Sequence, residues 1–397
     1  MKVDTNKDKI EELLIRGVEA VYPTREWLSE QLASGRRLTI YTGYDPTADT
    51  LHLGHGITLM KLRQLQELGH KIIMLIGDFT GMIGDPTDKT AARTKLTRDE
   101  VLANCKNYKK QAANVLSFSG SNKAELKYNS KWLGKMSFGD VLELASHFTV
   151  QQMMERDMFQ KRIEEEKPIH VHEFMYPLMQ GYDSVAMDVD GEIGGNDQMF
   201  NMMAGRTLMK AMKDKEKFVL TMKLLADESG KKMGKTEGNM IALSDGPENM
   251  FGKVMSWTDG MIVPGFELCT MVSNDEVESV RKALEAGDNP RDYKMKLASE
   301  IVRVWHGEAG AEAGKENFAN VIQQGNKPDE IPEVKVSVRD IVSVLVEAEL
   351  CSSKSQARRD IDGGGVKVND EKVTSYELKV NAGDVIQKGK RHFVRLK

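Results

Sequence analysis

The 397-residue sequence predicts an α/β chain: a doubly wound parallel sheet in front, then a helix-rich stretch, then a small α+β module. Three observations carry this. From 38 to 44 the sequence alternates like a strand, Asp45-Pro46-Thr47 breaks it, and apolar residues then recur at helical spacing from about Leu53 to Leu68. After Gly69 a second apolar run covers 70–76, and strand, helix and strand at this spacing form a right-handed parallel βαβ unit. Past Asp245 the pattern turns helical, and past a Pro-containing linker a pair of helices is followed by short strand-like runs.

In chain order, residues 1–35 read as helix, with Ile10, Leu13, Leu14, Val18 and Val21 on one face before Pro23. The βαβ unit follows. Beyond its second strand, Phe79-Thr80-Gly81-Met82-Ile83-Gly84-Asp85-Pro86-Thr87 is a glycine-rich turn; Asp85 either points into the crevice or simply closes the turn before proline. From 97 to about 162 the pattern is mainly helical, long enough for an insertion between the halves of the sheet. Its apolar Phe148, Val150, Met153, Met154 and Met158 suit a subunit interface or ordinary core equally. Gly191-Glu192-Ile193-Gly194-Gly195 is another strand end, leading into a helix to about Met212, and 217–224 reads as strand. Helices follow at 275–286 and 292–304. Beyond the linker, 338–350 and 354–361 read as helices, Ser353 caps the second, and Gly363-Gly364-Gly365 ends it. Short strands are expected at 366–368, 372–374 and 384–386.

Composition narrows the class. With 40% hydrophobic and 29% charged residues the chain is that of a soluble globular protein with a sizeable core. No apolar run approaches the ~20 residues of a membrane span, and MKVDTNKDKIEEL is no secretory signal, so a cytoplasmic protein without a membrane partner is expected. Cys105, Cys269 and Cys351 are far apart and form neither a disulfide framework nor a metal site. The 24 methionines suit cores and a hydrophobic interface. Net charge is −4, yet residues 335–397 hold 13 Lys+Arg against 9 Asp+Glu, a net +4 that leaves −8 on the first 334. A basic module on an acidic body points to a polyanionic partner and argues against a chain-wide nucleic-acid wrap.

The motifs are more specific. His52-Leu53-Gly54-His55 puts two imidazoles on the first turn of a helix, where free N–H groups and the positive dipole end favour anions. Asp49 or Thr50 can cap that turn, and Gly54 lets a backbone or a flat ring come close. Phosphates that gain charge during a reaction fit such a site without a protein-held metal; an ordinary helix start with surface histidines has the same spacing. Tyr176, Gln180 and Asp183 fall at i, i+4 and i+7, so a helix lines a phenol, an amide and a carboxylate along one face, to hold a small polar ligand or to meet solvent. Asp197 can accept from a ribose hydroxyl or cap a helix, and Gln198 can contact a carboxylate or an α-phosphate. Lys232 and Lys235, three apart in a glycine-containing polar loop, can carry point charges to a triphosphate or stay solvated.

YTGYDPTADTLHLGH resembles the HIGH signature of class I aminoacyl-tRNA synthetases, and its Tyr-x-Gly-Tyr-Asp-Pro-Thr-Ala-Asp start is close to that of the bacterial tyrosyl-tRNA synthetases. KMGKT, about 180 residues after His52, resembles the KMSKS loop, GGxDQ matches a family signature, and SSKSQARRDIDGGGVKVNDEKV resembles the αL RNA-binding module of ribosomal-protein type. The resemblance covers nearly the whole chain. It implies a Rossmann-like catalytic domain over 1–225 with a helical insertion at about 97–162. It further implies a KMSKS-type loop and helical anticodon-binding domain over 226–325, a linker at 326–334 and an αL domain over 335–397.

The activity so implied joins L-tyrosine to tRNA(Tyr) through an adenylate, with ATP as substrate, a magnesium ion travelling with it, no protein-bound metal, and a homodimer as the assembly. Thr47, His52, Lys232 and Lys235 would hold the β- and γ-phosphates, while His55 and Asp197 would address the ribose. Gly43, Asp45, Gly54, Gly195 and Met233 would complete the ATP site. Tyr41 and Asp183 would meet the substrate phenol, Asp85, Tyr176 and Gln180 its ammonium group, and Gln198 its carboxylate side; Lys354, Arg358 and Arg359 would meet RNA phosphates. Thr42, Glu192, Asn196 and Met199 depart from the usual family residues, and KMGKT lacks the first serine. Rival readings are a tryptophanyl-tRNA synthetase, a non-catalytic RNA-binding relative and a small-molecule nucleotidyltransferase.

Overall fold

The computed structural model describes residues 2–85, 96–226, 240–323, 331–389 and 392–397. They divide into two compact units, Met1–Asp245 with Trp257–Trp305, and Gly246–Ser256 with His306–Lys397.

The first unit is built on a six-stranded sheet in the order β1-β6-β5-β2-β3-β4. Its strands are β1 (Val18–Tyr22), β2 (Thr39–Tyr44), β3 (Lys71–Ile76), β4 (Glu125–Tyr128), β5 (Gly191–Gly195) and β6 (Phe218–Met222). All neighbours run parallel except β1, which pairs antiparallel with β6. From β2 the chain winds outward to β3 and β4 on one side, then returns through β5 and β6 on the other. The crevice between the carboxyl ends of β2 and β5 is therefore the topological switch point, where doubly wound sheets bind ligands. β2 and β3 are buried almost throughout, as strands covered on both faces must be.

Helices α1 (Lys7–Ile15) and α2 (Arg25–Ala33) flank β1, so the single helix expected over 1–35 is corrected. Gly17 at φ 62° ends the first helix, and the β-branched Val18 and Val21 continue as an edge strand. The expected insertion at 97–162 is corrected too: it contains β4, which extends the parallel sheet, between otherwise helical segments.

The helical domain is expected to begin at 226; in the structure the helices from Trp257 to Trp305 fall in the same compact unit as the sheet. The buried Arg16 guanidinium donates to the carbonyls of Phe266 (2.9 Å), Glu267 (3.1 Å) and Thr270 (2.8 Å), capping the end of the helix Ile262–Cys269. Lys61, on α3 (Leu53–Glu67), donates in turn to the carbonyls of Leu13 (2.6 Å) and Arg16 (2.9 Å).

In the second unit a five-stranded sheet runs β7-β11-β10-β8-β9. These are β7 (Glu333–Val334), β8 (Val366–Val368), β9 (Glu371–Lys372), β10 (Val385–Lys388) and β11 (His392–Leu396). Two helices, Ile341–Glu347 and Lys354–Asp362, share a core with it around Ile341, Val344, Leu345, Ala357, Val366, Val380 and Ile386. The expected linker ends earlier than 334, because Glu333 and Val334 pair with Arg395 and Leu396. β11 itself is a strand that the sequence reading does not anticipate.

Candidate active site

The imidazole pair starts α3 where the polar turn after β2 meets the switch point. His52 is the N-cap of the helix, in place of the expected Asp49 or Thr50. Its Nδ1 accepts from the Gly54 N–H (3.1 Å), and the His55 Nδ1 accepts from the His52 N–H (3.2 Å), a reciprocal capping box made of two histidines. The rings stack with centroids 3.9 Å apart. A Cβ on Gly54 would lie 2.9 Å from the His52 ring, so the flat ring this glycine admits is the histidine's own. With both Nδ1 atoms accepting, each neutral ring keeps Nε2 as its N–H donor. Burial lowers the His52 pKa to about 4 and that of His55 well below its ordinary value, with His52 adding to the effect on His55. The pair can therefore offer two N–H donors to an anion at neutral pH.

Lys232, Met233 and Lys235 lie outside the described residues. The chain that follows them is described, and it is tied to the histidine turn. The Leu53 N–H donates to the Ile241 carbonyl (3.0 Å), the Leu243 N–H donates to the Leu51 carbonyl (2.8 Å), and Thr50 Oγ1 lies 2.8 Å from Ser244 Oγ. His52 and Ala242 form an antiparallel bridge.

Beside the histidines, Asp45 at the end of β2 accepts from Tyr176 Oη (2.8 Å) and Thr80 Oγ1 (2.7 Å). A Cβ on Gly77 would lie 1.9 Å from Asp45 Oδ1, so only glycine lets β3's exit pass this carboxylate. The Thr47 N–H turns back onto the Asp45 carbonyl (2.8 Å). Gly43 is exposed, and a Cβ there would meet only Leu75, 3.9 Å away. On the β5 side, Gly195 admits Asp197, whose Oδ1 would lie 2.5 Å from a Cβ there. The helix α5 (Met199–Lys213) begins after Gln198 without a side-chain cap, so Asp197 does not serve as one.

The row at 176, 180 and 183 lies on α4 (Val171–Met187), with Tyr176 and Asp183 buried and Gln180 half-buried. Asp183 accepts from Trp132 Nε1 (2.7 Å) and Asn129 Nδ2 (3.2 Å). Burial pushes its carboxyl well up, opposed by those two hydrogen bonds. Tyr41 Oη, fully buried, lies 2.9 Å from the hydroxyl of Ser184, the next residue along α4. Asn129 Nδ2 also donates to Thr80 Oγ1 (3.0 Å), which links the Asp183 end of the row to Asp45. Gln198 Nε2 donates to Asp85 Oδ2 (2.8 Å), and the buried Arg156 guanidinium stands 3.7 Å from the other oxygen of Asp85. The structure thus gathers Tyr41, Asp45, Asp85, Tyr176, Gln180, Asp183 and Gln198 into one polar cluster around the switch point. Sequence reasoning misses Thr80, Asn129, Trp132, Arg156 and Ser184; Asn129 and Trp132 follow β4, a strand too short to announce itself by period. Lys354, Arg358 and Arg359 lie on the exposed side of Lys354–Asp362 in the other unit. Among the described residues no group of three His, Cys, Asp or Glu side chains could hold a metal ion, and no helix is long and apolar enough to cross a membrane.

The family model described as tRNA synthetases class I (W and Y) matches residues 33–323. The chain belongs to this family. An S4 domain model matches residues 341–386 of the same synthetase chain. A "Tyrosine--tRNA ligase" of Moorella thermoacetica is 44% identical over 393 residues, covering 97% of this chain and 94% of that protein. One from Colwellia psychrerythraea is 44% identical over 390 residues, covering 96% and 97%. Among solved structures, a C-terminally truncated Coccidioides posadasii mitochondrial tyrosyl-tRNA synthetase superimposes with a TM-score of 0.64 at 25% identity, over 78% of this chain and 91% of that one. The synthetase fold is also shared with the Archaeoglobus fulgidus tyrosyl-tRNA synthetase complexed with L-tyrosine, with a TM-score of 0.62 at 22% identity, over 78% and 100%.

Proposed function

We propose that this synthetase is a tyrosine–tRNA ligase. The tyrosine carboxylate attacks the α-phosphorus of ATP and the bond to pyrophosphate breaks; a hydroxyl of the terminal adenosine of tRNA(Tyr) then attacks the acyl carbon of the adenylate, the acyl–phosphate bond breaks, and AMP leaves. No covalent protein nucleophile is needed, so catalysis is positioning plus charge stabilisation. One observation carries the choice of amino acid: Tyr41 and Asp183 are both buried, and Tyr41 is bonded to the residue next to Asp183. A substrate hydroxyl meets a partner there; a phenylalanine ring leaves those groups unpaired.

Asp85, Tyr176 and Gln180 receive the ammonium group, and Gln198 faces the carboxylate side. His52 and His55 supply Nε2–H donors. Thr47 and His52, with Lys232 and Lys235, hold the β- and γ-phosphates of ATP, whose magnesium ion travels with the nucleotide and needs no protein ligand, while His55 and Asp197 meet the ribose and Gly43, Asp45, Gly54, Gly195 and Met233 frame the nucleotide. The attachment of Ile241–Leu243 to the His52 turn supports bringing the lysine loop to that side. Lys354, Arg358 and Arg359 contact tRNA phosphates. A homodimer is supported by exposed apolar Phe138, Leu142, Val150, Ile163 and Val171. Exchange of labelled pyrophosphate into ATP with a panel of amino acids tests the reading: tyrosine alone should stimulate it. Stimulation by tryptophan instead would favour the other branch of the family, and RNA binding without exchange under any amino acid would point to a non-catalytic relative.

A further inference from the structure

Lys217, the residue just before β6, has its side chain wholly buried. Its ammonium is paired with Glu192 on β5, itself 2% exposed, and donates to the Met202 carbonyl (3.2 Å). It also stands 5.7 Å from the centre of the Tyr41 ring. The space for it comes from α5: a Cβ on Gly205 would lie 2.5 Å from Lys217 Nζ. The other oxygen of Glu192 accepts from Gln180 Nε2 (3.1 Å).

A single buried anion therefore joins a buried cation to the Gln180 amide, with the Tyr41 ring beside the pair. Burial and the neighbouring Glu192 and Asp183 push the Tyr41 phenol well up. Burial draws the Lys217 pKa down, while Glu192 and Asp183 hold it up. Removing the cation alone would strand a carboxylate in the interior, and a stranded carboxylate captures the nearest donors or a proton. The nearest donors here belong to Gln180 and Tyr41.

We propose that Lys217 is a positioning residue for the amino acid: by pairing with Glu192 it fixes the Gln180 amide and the Tyr41 phenol in the arrangement that receives the substrate. Neither Lys217 nor Glu192 touches the ligand. The proposal rests on the tyrosine–tRNA ligase reading, and the wild-type chain tests that reading separately, since no tyrosine-dependent pyrophosphate exchange there would end it before any variant is made.

With wild-type exchange established, Lys217→Met, Glu192→Gln and the double variant are compared. Each single variant should raise KM for tyrosine by about tenfold while kcat and KM for ATP change less than about threefold. The double variant, which removes both charges and keeps an amide acceptor for Gln180, should recover most of that loss. A merely structural pair would lower the yield or Tm without a selective change in the tyrosine KM, and that result would overturn the proposal. So would a double variant no better than the single ones. Where Lys217→Met does not fold, Glu192→Gln against the double variant makes the same comparison.

Discussion

The two histidines show how much a pair of side chains can do with neutral rings. Each spends Nδ1 on a backbone N–H and keeps Nε2–H as a donor. Such donors gain most where charge develops, so His52→Ala should slow single-turnover adenylate formation by about 100-fold or more while changing tyrosine affinity by less than about threefold. Equal losses in both measurements would contradict a transition-state role. The same burial has a consequence for stability. The His52 pKa is about 4 in the folded chain against an ordinary 6.5, so between those values the unfolded chain binds a proton that the folded chain refuses. The stability contributed by neutral His52 is complete above pH 6.5 and is lost as the pH falls through that window to about 4. Asp183, whose carboxyl is raised, acts in the opposite sense, so the test is a comparison of chains. Denaturant unfolding of the wild type and of His52→Asn, which keeps a capping side chain, should show a steeper loss of stability from about pH 6.5 to about 4.5 in the wild type. The difference approaches about 1.4 kcal/mol per pH unit at most, and is smaller because the ring retains part of its exposure.

At the scale of elements, the site depends on how closely β5 lies against its neighbours. A Cβ on Gly191 would fall 2.1 Å from the Phe218 ring on β6, and the two residues are register partners. Gly191→Ala should therefore cost about 1–3 kcal/mol, read as a lower Tm, because the ring is buried and has no room to turn aside. It should also disturb the Gly195–Gln198 turn at the strand's far end, seen as a raised KM for ATP. Elements like β2, α3 and β3 are legible in the sequence because each has a strong period and a clear breaker: Asp45-Pro46-Thr47 before the helix and Gly69 after it. β1 is not, because Val18 and Val21 fit the apolar face of the preceding helix as well as they fit an edge strand, and only pairing with Val219–Met222 decides between them. β4 is a short strand, and its place in the sheet comes from partners about 50 positions away. Within the site, the row at 176, 180 and 183 can be read from helical spacing alone. The Trp132 and Asn129 bonds that hold Asp183 cannot, since they join segments 51 and 54 residues apart with no shared period.

For the whole molecule, the question is which parts serve which step. The core of the C-terminal sheet is drawn from Val334 to Leu396, with its own buried centre at Ile341, Val344, Leu345, Ala357, Val366, Val380 and Ile386. Because β7 belongs to that sheet, a clean truncation removes 331–397 and not merely 335–397. The truncated chain keeps every residue assigned to tyrosine and ATP, so pyrophosphate exchange should stay within about threefold of wild type while tRNA charging falls by about tenfold or more. Loss of exchange with charging preserved would overturn the division of labour. A finer version leaves the fold intact. Lys354, Arg358 and Arg359 are exposed on one short helix, and Arg358 lies 5.8 Å from the centre of the Tyr376 ring. If the three cations meet phosphates, replacing them with alanine should lower the slope of log binding constant against log salt by about 2–3, the number of counterions no longer released. The slope is the deciding quantity, because a variant that merely weakened the module would reduce affinity at every salt concentration and leave the slope where it was.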